Sequence, residues 1–146
     1  MISLIRVNAF VSTRDRHSCY NRSMEALKAL LLDNERWLMQ RVLHYAKTHN
    51  YVKYTSTLLE AWRISVESLS LALVTALERN ARVPELAPDD DYSQDPIAAF
   101  GVEEGRKHRA RGLTLTMYMS LFKYYRQAYI DLIQQAPLTT AQSHHY

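Results

Sequence analysis

Residues 51–80 read YVKYTSTLLEAWRISVESLSLALVTALERN, and their spacing decides the fold. Leu58, Trp62, Val66, Leu69, Leu73 and Leu77 recur every three or four residues, so a helix gathers them into one apolar stripe about six turns long. Thr57 and Glu60 stand at the spacing of a capping box, in which the hydroxyl takes one orphan amide and the carboxylate reaches back to another. Arg63 lies at helical neighbour distance from both Glu60 and Glu67. On an exposed face such pairs add a few tenths of a kcal/mol.

Upstream, Met24, Leu27, Leu31, Leu38, Val42 and Tyr45 keep one helical phase, with Ser23 as the expected N-cap and an end near Thr48, where Asn50 can take a left-handed cap. Asp33, Asn34 and Glu35 interrupt this segment, and their side chains offer the backbone other hydrogen bonds, so one kinked helix and two consecutive helices both fit. Residues 1–22 show no period and are expected to form a strand-like or irregular arm. Downstream, residues 82–96 hold two interior prolines and five carboxylates and read as a loop. Asp95 before Pro96 marks a helix start and Gly112 a left-handed stop, giving a helix from about Pro96 to Arg111. A last helix, from about Thr114 to Gln135, carries Tyr118, Leu121, Phe122, Tyr125, Tyr129, Leu132 and Ile133 on one broad face, and Pro137 stops it. Residues 137–146 are expected to fray.

With 146 residues, the chain is one domain's worth, and residues 23–136 form its expected body. Cys19 is alone, so no disulfide staples the fold, and no leader pattern opens the chain, which points to a reducing cytoplasm. No apolar run exceeds four residues, far below a membrane span. Only three Gly and four clustered Pro leave long stretches uninterrupted. The expected fold is all-α, with four to five main helices in a globin-like or bundle arrangement.

Catalytic signals are sparse. The six histidines give no metal-ligand pattern, since His44 and His49 are five apart and point away from each other on a helix, and no cofactor is expected. Gly101 and Gly105 form a GxxxG that lets helices approach closely. His108 follows Glu104 by four residues, and its neighbours Arg111 and Gly112 match five residues of the phosphotransfer pattern; the alternative is a partly buried ring oriented by Glu104 or a backbone carbonyl. Arg106, Lys107, Arg109 and Arg111 are cationic, but Glu103 and Glu104 precede them and the net charge is only +3. A solvated cluster, answering the acidic Asp89–Asp91 loop, fits better than a nucleic-acid surface. The tyrosines of the last helix, with Tyr54 and Trp62, either stiffen a core through hydrogen bonds or line a pocket with polar handles.

Four motifs, YTSTLLEAWR, DPIAAFG, HRARG and KYYRQAY, occur in order within about residues 40–133. Together they resemble the amino-terminal sensory domain of bacterial multidomain signalling proteins, chiefly sensor histidine kinases with PAS modules. The layout is also similar to the non-haem globin-like input domains of stressosome co-antagonist proteins. The matching positions are Tyr54, Thr55, Trp62, Arg63, His108, Arg111, Tyr124, Tyr125 and Arg126. The resemblance implies a cytoplasmic, non-catalytic, homodimeric signal-input domain that acts on a downstream signalling domain or partner protein. A small-molecule ligand would then meet Tyr54, Trp62, Arg63, His108, Arg111, Tyr125 and Arg126. The rival expectations are a phosphotransfer protein using His108, a haem sensor with His44 or His108 as axial ligand, and a dimerisation module without ligand.

Overall fold

The fold is taken from a computed structural model that describes residues 13–52, 58–79 and 87–136, with side chains from Arg22 onward. Five helices fill the described residues, and no strand occurs among them: α1 (Thr13–Asp33), α2 (Glu35–Thr48), α3 (Leu59–Arg79), α4 (Pro96–Ala110) and α5 (Leu115–Gln135). The all-α expectation holds. None of these helices is long and apolar enough to cross a membrane. Residues 1–12, Tyr54, Thr55, Thr57 and the 137–146 tail lie outside the described residues.

One expectation is corrected at the amino-terminal side. The chain is helical from Thr13, so Ser23 lies inside α1 and residues 13–22 are not an irregular arm. Residues 13–22 contain neither Gly nor Pro, and a helix nucleated by the apolar face that follows extends backwards one hydrogen bond at a time without further apolar residues. The polar interruption at 33–35 resolves into two helices. Asn34 Nδ2 donates to the Leu30 carbonyl at 2.8 Å, while the Asn34 carbonyl still accepts from Leu38 N at 2.9 Å.

The other ends follow their caps. Asp95 accepts from Ala98 N at 2.7 Å ahead of Pro96, and Thr114 accepts from Met117 N at 3.3 Å. Helix α2 closes with Asn50 at φ 60° and α4 with Gly112 at φ 86°. In each, the next two amides fold back onto the last turn: Asn50 to Lys47 and Tyr51 to Ala46, Gly112 to Arg109 and Leu113 to His108.

Helix α3 is the axis of the molecule. It packs against α1, α2 and α4. Ion pairs Lys28–Glu78 (3.1 Å) and Arg63–Glu35 (3.3 Å) tie it to α1 and α2. Helix α5 runs parallel to α3, because Trp62 stacks on Tyr125 and Tyr129 reaches Val66 and Ser70. It runs antiparallel to α2, since Arg41 meets Asp131 while His49 meets Tyr124. Leu38, Val42, Val66 and Leu121 are the fully buried centre. The predicted stripe on α3 is buried at Trp62, Val66 and Leu69 and open at its start, where Leu58 is 68% exposed.

Candidate functional site

Three helices, α3, α4 and α5, meet in a wedge that is polar inside. Tyr129 Oη donates to the Val66 carbonyl at 3.0 Å and lies 2.8 Å from Ser70 Oγ. The phenol has one proton and spends it on the carbonyl, so Ser70 is the donor in the second bond. On α4, Glu104 is 7% exposed; its Oε2 accepts from Ser65 Oγ at 3.0 Å and its Oε1 from Lys107 Nζ at 3.0 Å. His108, also 7% exposed, places Nδ1 2.8 Å from the Glu104 backbone carbonyl. A carbonyl only accepts, so Nδ1 carries the proton and the ring is oriented by backbone. The Glu104 carboxylate is 3.9 Å from the same nitrogen, beyond hydrogen-bond range.

Tyr118 completes the wedge. Its hydroxyl donates to the Gly101 carbonyl at 2.8 Å, its ring centre lies 5.4 Å from that of His108, and a Cβ added at Gly105 would lie 3.6 Å from its Cε1. Of the two glycines of the GxxxG, Gly105 meets the tyrosine ring at ordinary van der Waals distance, while a Cβ added at Gly101 would meet nothing within 4 Å. Burial pushes the Tyr125, Tyr129 and Tyr118 hydroxyls above the ordinary phenol range. Between Phe100, Glu104, His108, Tyr118 and Tyr125 the remaining cavity is about 10 Å³, room for about one water molecule. Of the two uses expected for the tyrosines, hydrogen bonds that stiffen a core describe Tyr118 and Tyr129.

The predicted site residues separate into two groups. Trp62, His108 and Tyr125 come together in the wedge. Arg63 leaves α3 on another side and is held by Glu60 (2.7 and 2.9 Å), Glu67 (3.1 Å) and Glu35 (3.3 Å). Glu60 drops below the usual carboxylate range through its bond to Arg63. Arg111, at the end of α4, and Arg126, on α5, are exposed. The basic cluster does not answer the acidic loop. Asp90 and Asp91 accept from the loop's own amides at Ala87 (3.0 Å) and Ser93 (2.8 Å), while Lys107 turns to Glu103 and Glu104. Phosphotransfer needs an imidazole that meets its partner in solvent, and His108 is instead buried. No three His, Cys, Asp or Glu among the described residues are placed to hold a metal ion.

A second polar centre had no place among the sequence candidates. Asp131 on α5 accepts from Arg41 Nε at 2.7 Å, Tyr45 Oη at 2.5 Å and Gln127 Nε2 at 2.8 Å. Burial raises its pKa, and the bonds from Tyr45, Gln127 and Arg41 together more than offset that, holding the carboxyl below its ordinary value. The Arg41 guanidinium lies 5.0 Å above the Tyr45 ring. Tyr45 and His49 stack on Tyr124, and Tyr51 meets it edge-on. Both halves of the polar centre were present as helical pairs, Arg41 with Tyr45 and Gln127 with Asp131, each four residues apart.

No protein-family model, curated protein or solved structure matches the chain.

Proposed function

We propose that the chain is a cytoplasmic, non-catalytic signal-input module that works as a homodimer, passing a bias in helix packing to a downstream domain or partner protein. The observation that carries this is the polar seam between α3, α4 and α5: Ser65 with Glu104, Ser70 with Tyr129, and Tyr129 with the Val66 carbonyl. An apolar helix interface tolerates small slides. A seam of buried and half-buried hydrogen bonds gives discrete arrangements, because half-made bonds leave polar groups unsatisfied at about 1–3 kcal/mol each where water is excluded. A cue that binds one arrangement better than the other shifts their populations by its differential affinity and no more.

The test is hydrogen exchange and thermal unfolding of the purified chain across a broad metabolite set. A cue for this module raises Tm and slows exchange in α3 and α5 together. A set that changes neither property, nor the association state, would count against signal input.

A further inference from the structure

The α4–α5 pair leaves one side open, and that side is both cationic and apolar. The two helices are joined by the turn at 111–114 and run antiparallel, since Tyr118 meets Gly105 and Phe122 meets Phe100. On α4, Glu104 bonds to Ser65 of α3, while Gly105 faces α5. Continuing round the helix from Glu104 past Gly105, Arg109 and Val102 come next, about 40° and 60° beyond that glycine. On α5, Tyr125 and Tyr129 face α3 and Phe122 faces α4. Beyond Phe122, turning away from Tyr125, come Leu115, Arg126, Met119 and Lys123, about 20° to 100° round. In both helices the order round the circumference is α3, then the partner helix, then these residues. Both sets therefore open on the same side of the pair, away from α3.

All six side chains are exposed, Val102 at 55%, Leu115 at 75% and Met119 at 52%. Arg109, Lys123 and Arg126 take part in no ion pair among the described residues. Glu103 points about 160° away from Gly105, on the flank of α4 remote from α5, and pairs there with Lys107. Counted from the Tyr118 and Phe122 contacts, Arg109 stands near the start of α5 and Val102 beside Met119. Along the face, then, Arg109 marks one end, Leu115, Met119 and Val102 the middle, and Lys123 and Arg126 the other end.

We propose that this face docks on an anionic lipid surface, with Arg109, Lys123 and Arg126 on the headgroups and Leu115, Met119 and Val102 dipping between them. The proposal goes beyond the signal-input reading and needs neither a ligand nor a dimer. Charge complementarity selects the lipid. Three cations without carboxylate partners, set at both ends of an apolar centre, match a negatively charged sheet. A nucleic-acid duplex would take the cations but set three apolar side chains against phosphates, and a protein partner would have to offer them fitted pockets. A bilayer interface accepts protruding apolar side chains of any shape, and helices lying flat in it bury such a face. Each cation near an anionic surface multiplies partitioning by about five. With only three cations and three apolar side chains, the attachment is weak, reversible and salt-sensitive.

Co-sedimentation of the whole chain with vesicles tests this, using phosphatidylcholine alone or with about 30% phosphatidylserine, at about 0.1 M and about 0.5 M salt. The expected result is a chain that pellets with the serine-containing vesicles at low salt, leaves them at high salt and ignores phosphatidylcholine alone. K123Q/R126Q lowers partitioning roughly 25-fold, and L115S/M119S lowers it several-fold at unchanged charge. All four positions are exposed, so both variants keep the fold, which circular dichroism checks. A wild-type chain that ignores the anionic vesicles, or that prefers duplex DNA to them at equal salt, overturns the proposal. Vesicle binding that either double variant leaves unchanged overturns it too, because the contact then lies elsewhere on the chain. None of these outcomes touches the signal-input reading, which the metabolite set tests by itself.

Discussion

Asp131 depends on its partners for its charge. Its carboxyl is held below the ordinary value in the folded chain, so its contribution is present above the unfolded pKa of about 4 and is lost as pH falls through the lower folded value. Replacing it with Asn removes that dependence. We expect D131N to be less stable than wild type at neutral pH, by about 1–3 kcal/mol, with the gap closing in acid; urea unfolding at several pH values measures it. Tyr129 titrates in the opposite sense. Burial raises its folded pKa, so its stabilisation is complete below about pH 10 and is lost as pH rises further. In Y129F the Val66 carbonyl loses the second donor it has beside its own helix, and the Ser70 hydroxyl loses its acceptor. We expect a cost of about 1–3 kcal/mol, and a wild-type stability that falls more steeply than the variant's in alkali. Helical spacing made the local halves of these centres readable. That Arg41 meets a carboxylate 90 residues away was not, because no local property of either segment names the helix it will face.

At the scale of the element, the caps were readable because their chemistry is local. Asp95 before Pro96, Gly112 after the basic turn and Asn50 after Thr48 each satisfy orphan backbone groups within a few residues of themselves. We expect D95A to cost about 1 kcal/mol, and G112A about 1–2 kcal/mol because an alanine resists φ 86°. Thermal unfolding followed by circular dichroism reads both. The start of α1 was hidden for the complementary reason: residues 13–22 lack a periodic apolar face, and their helicity is inherited from the turns that follow. The polar interruption at Asn34 was visible in the sequence. Its outcome depended on which of three side chains reached back to a carbonyl, a contest among near-equal bonds.

Across the whole molecule, apolar periodicity named the buried faces well, and Met24, Leu27, Leu31, Leu38, Val42, Trp62, Val66, Leu121, Tyr125 and Tyr129 are all buried. The order in which those faces meet was not legible, since every stripe is compatible with several neighbours. The same holds for the candidate site: Trp62, His108 and Tyr125 converge, whereas Arg63, Arg111 and Arg126 point elsewhere. Leu38 lies where α2 enters the core and is completely buried. We expect Leu38→Ala to cost about 2–5 kcal/mol in urea unfolding. The Trp62 stack has a further use. Its indole lies 6.4 Å from the Tyr125 ring, centre to centre, at an angle of 14°, and is 4% exposed. Once Trp37 is replaced by Phe, the emission colour of the remaining indole reports whether these two helices stay closed over it, so the protein contains its own optical gauge of how α3 and α5 pack.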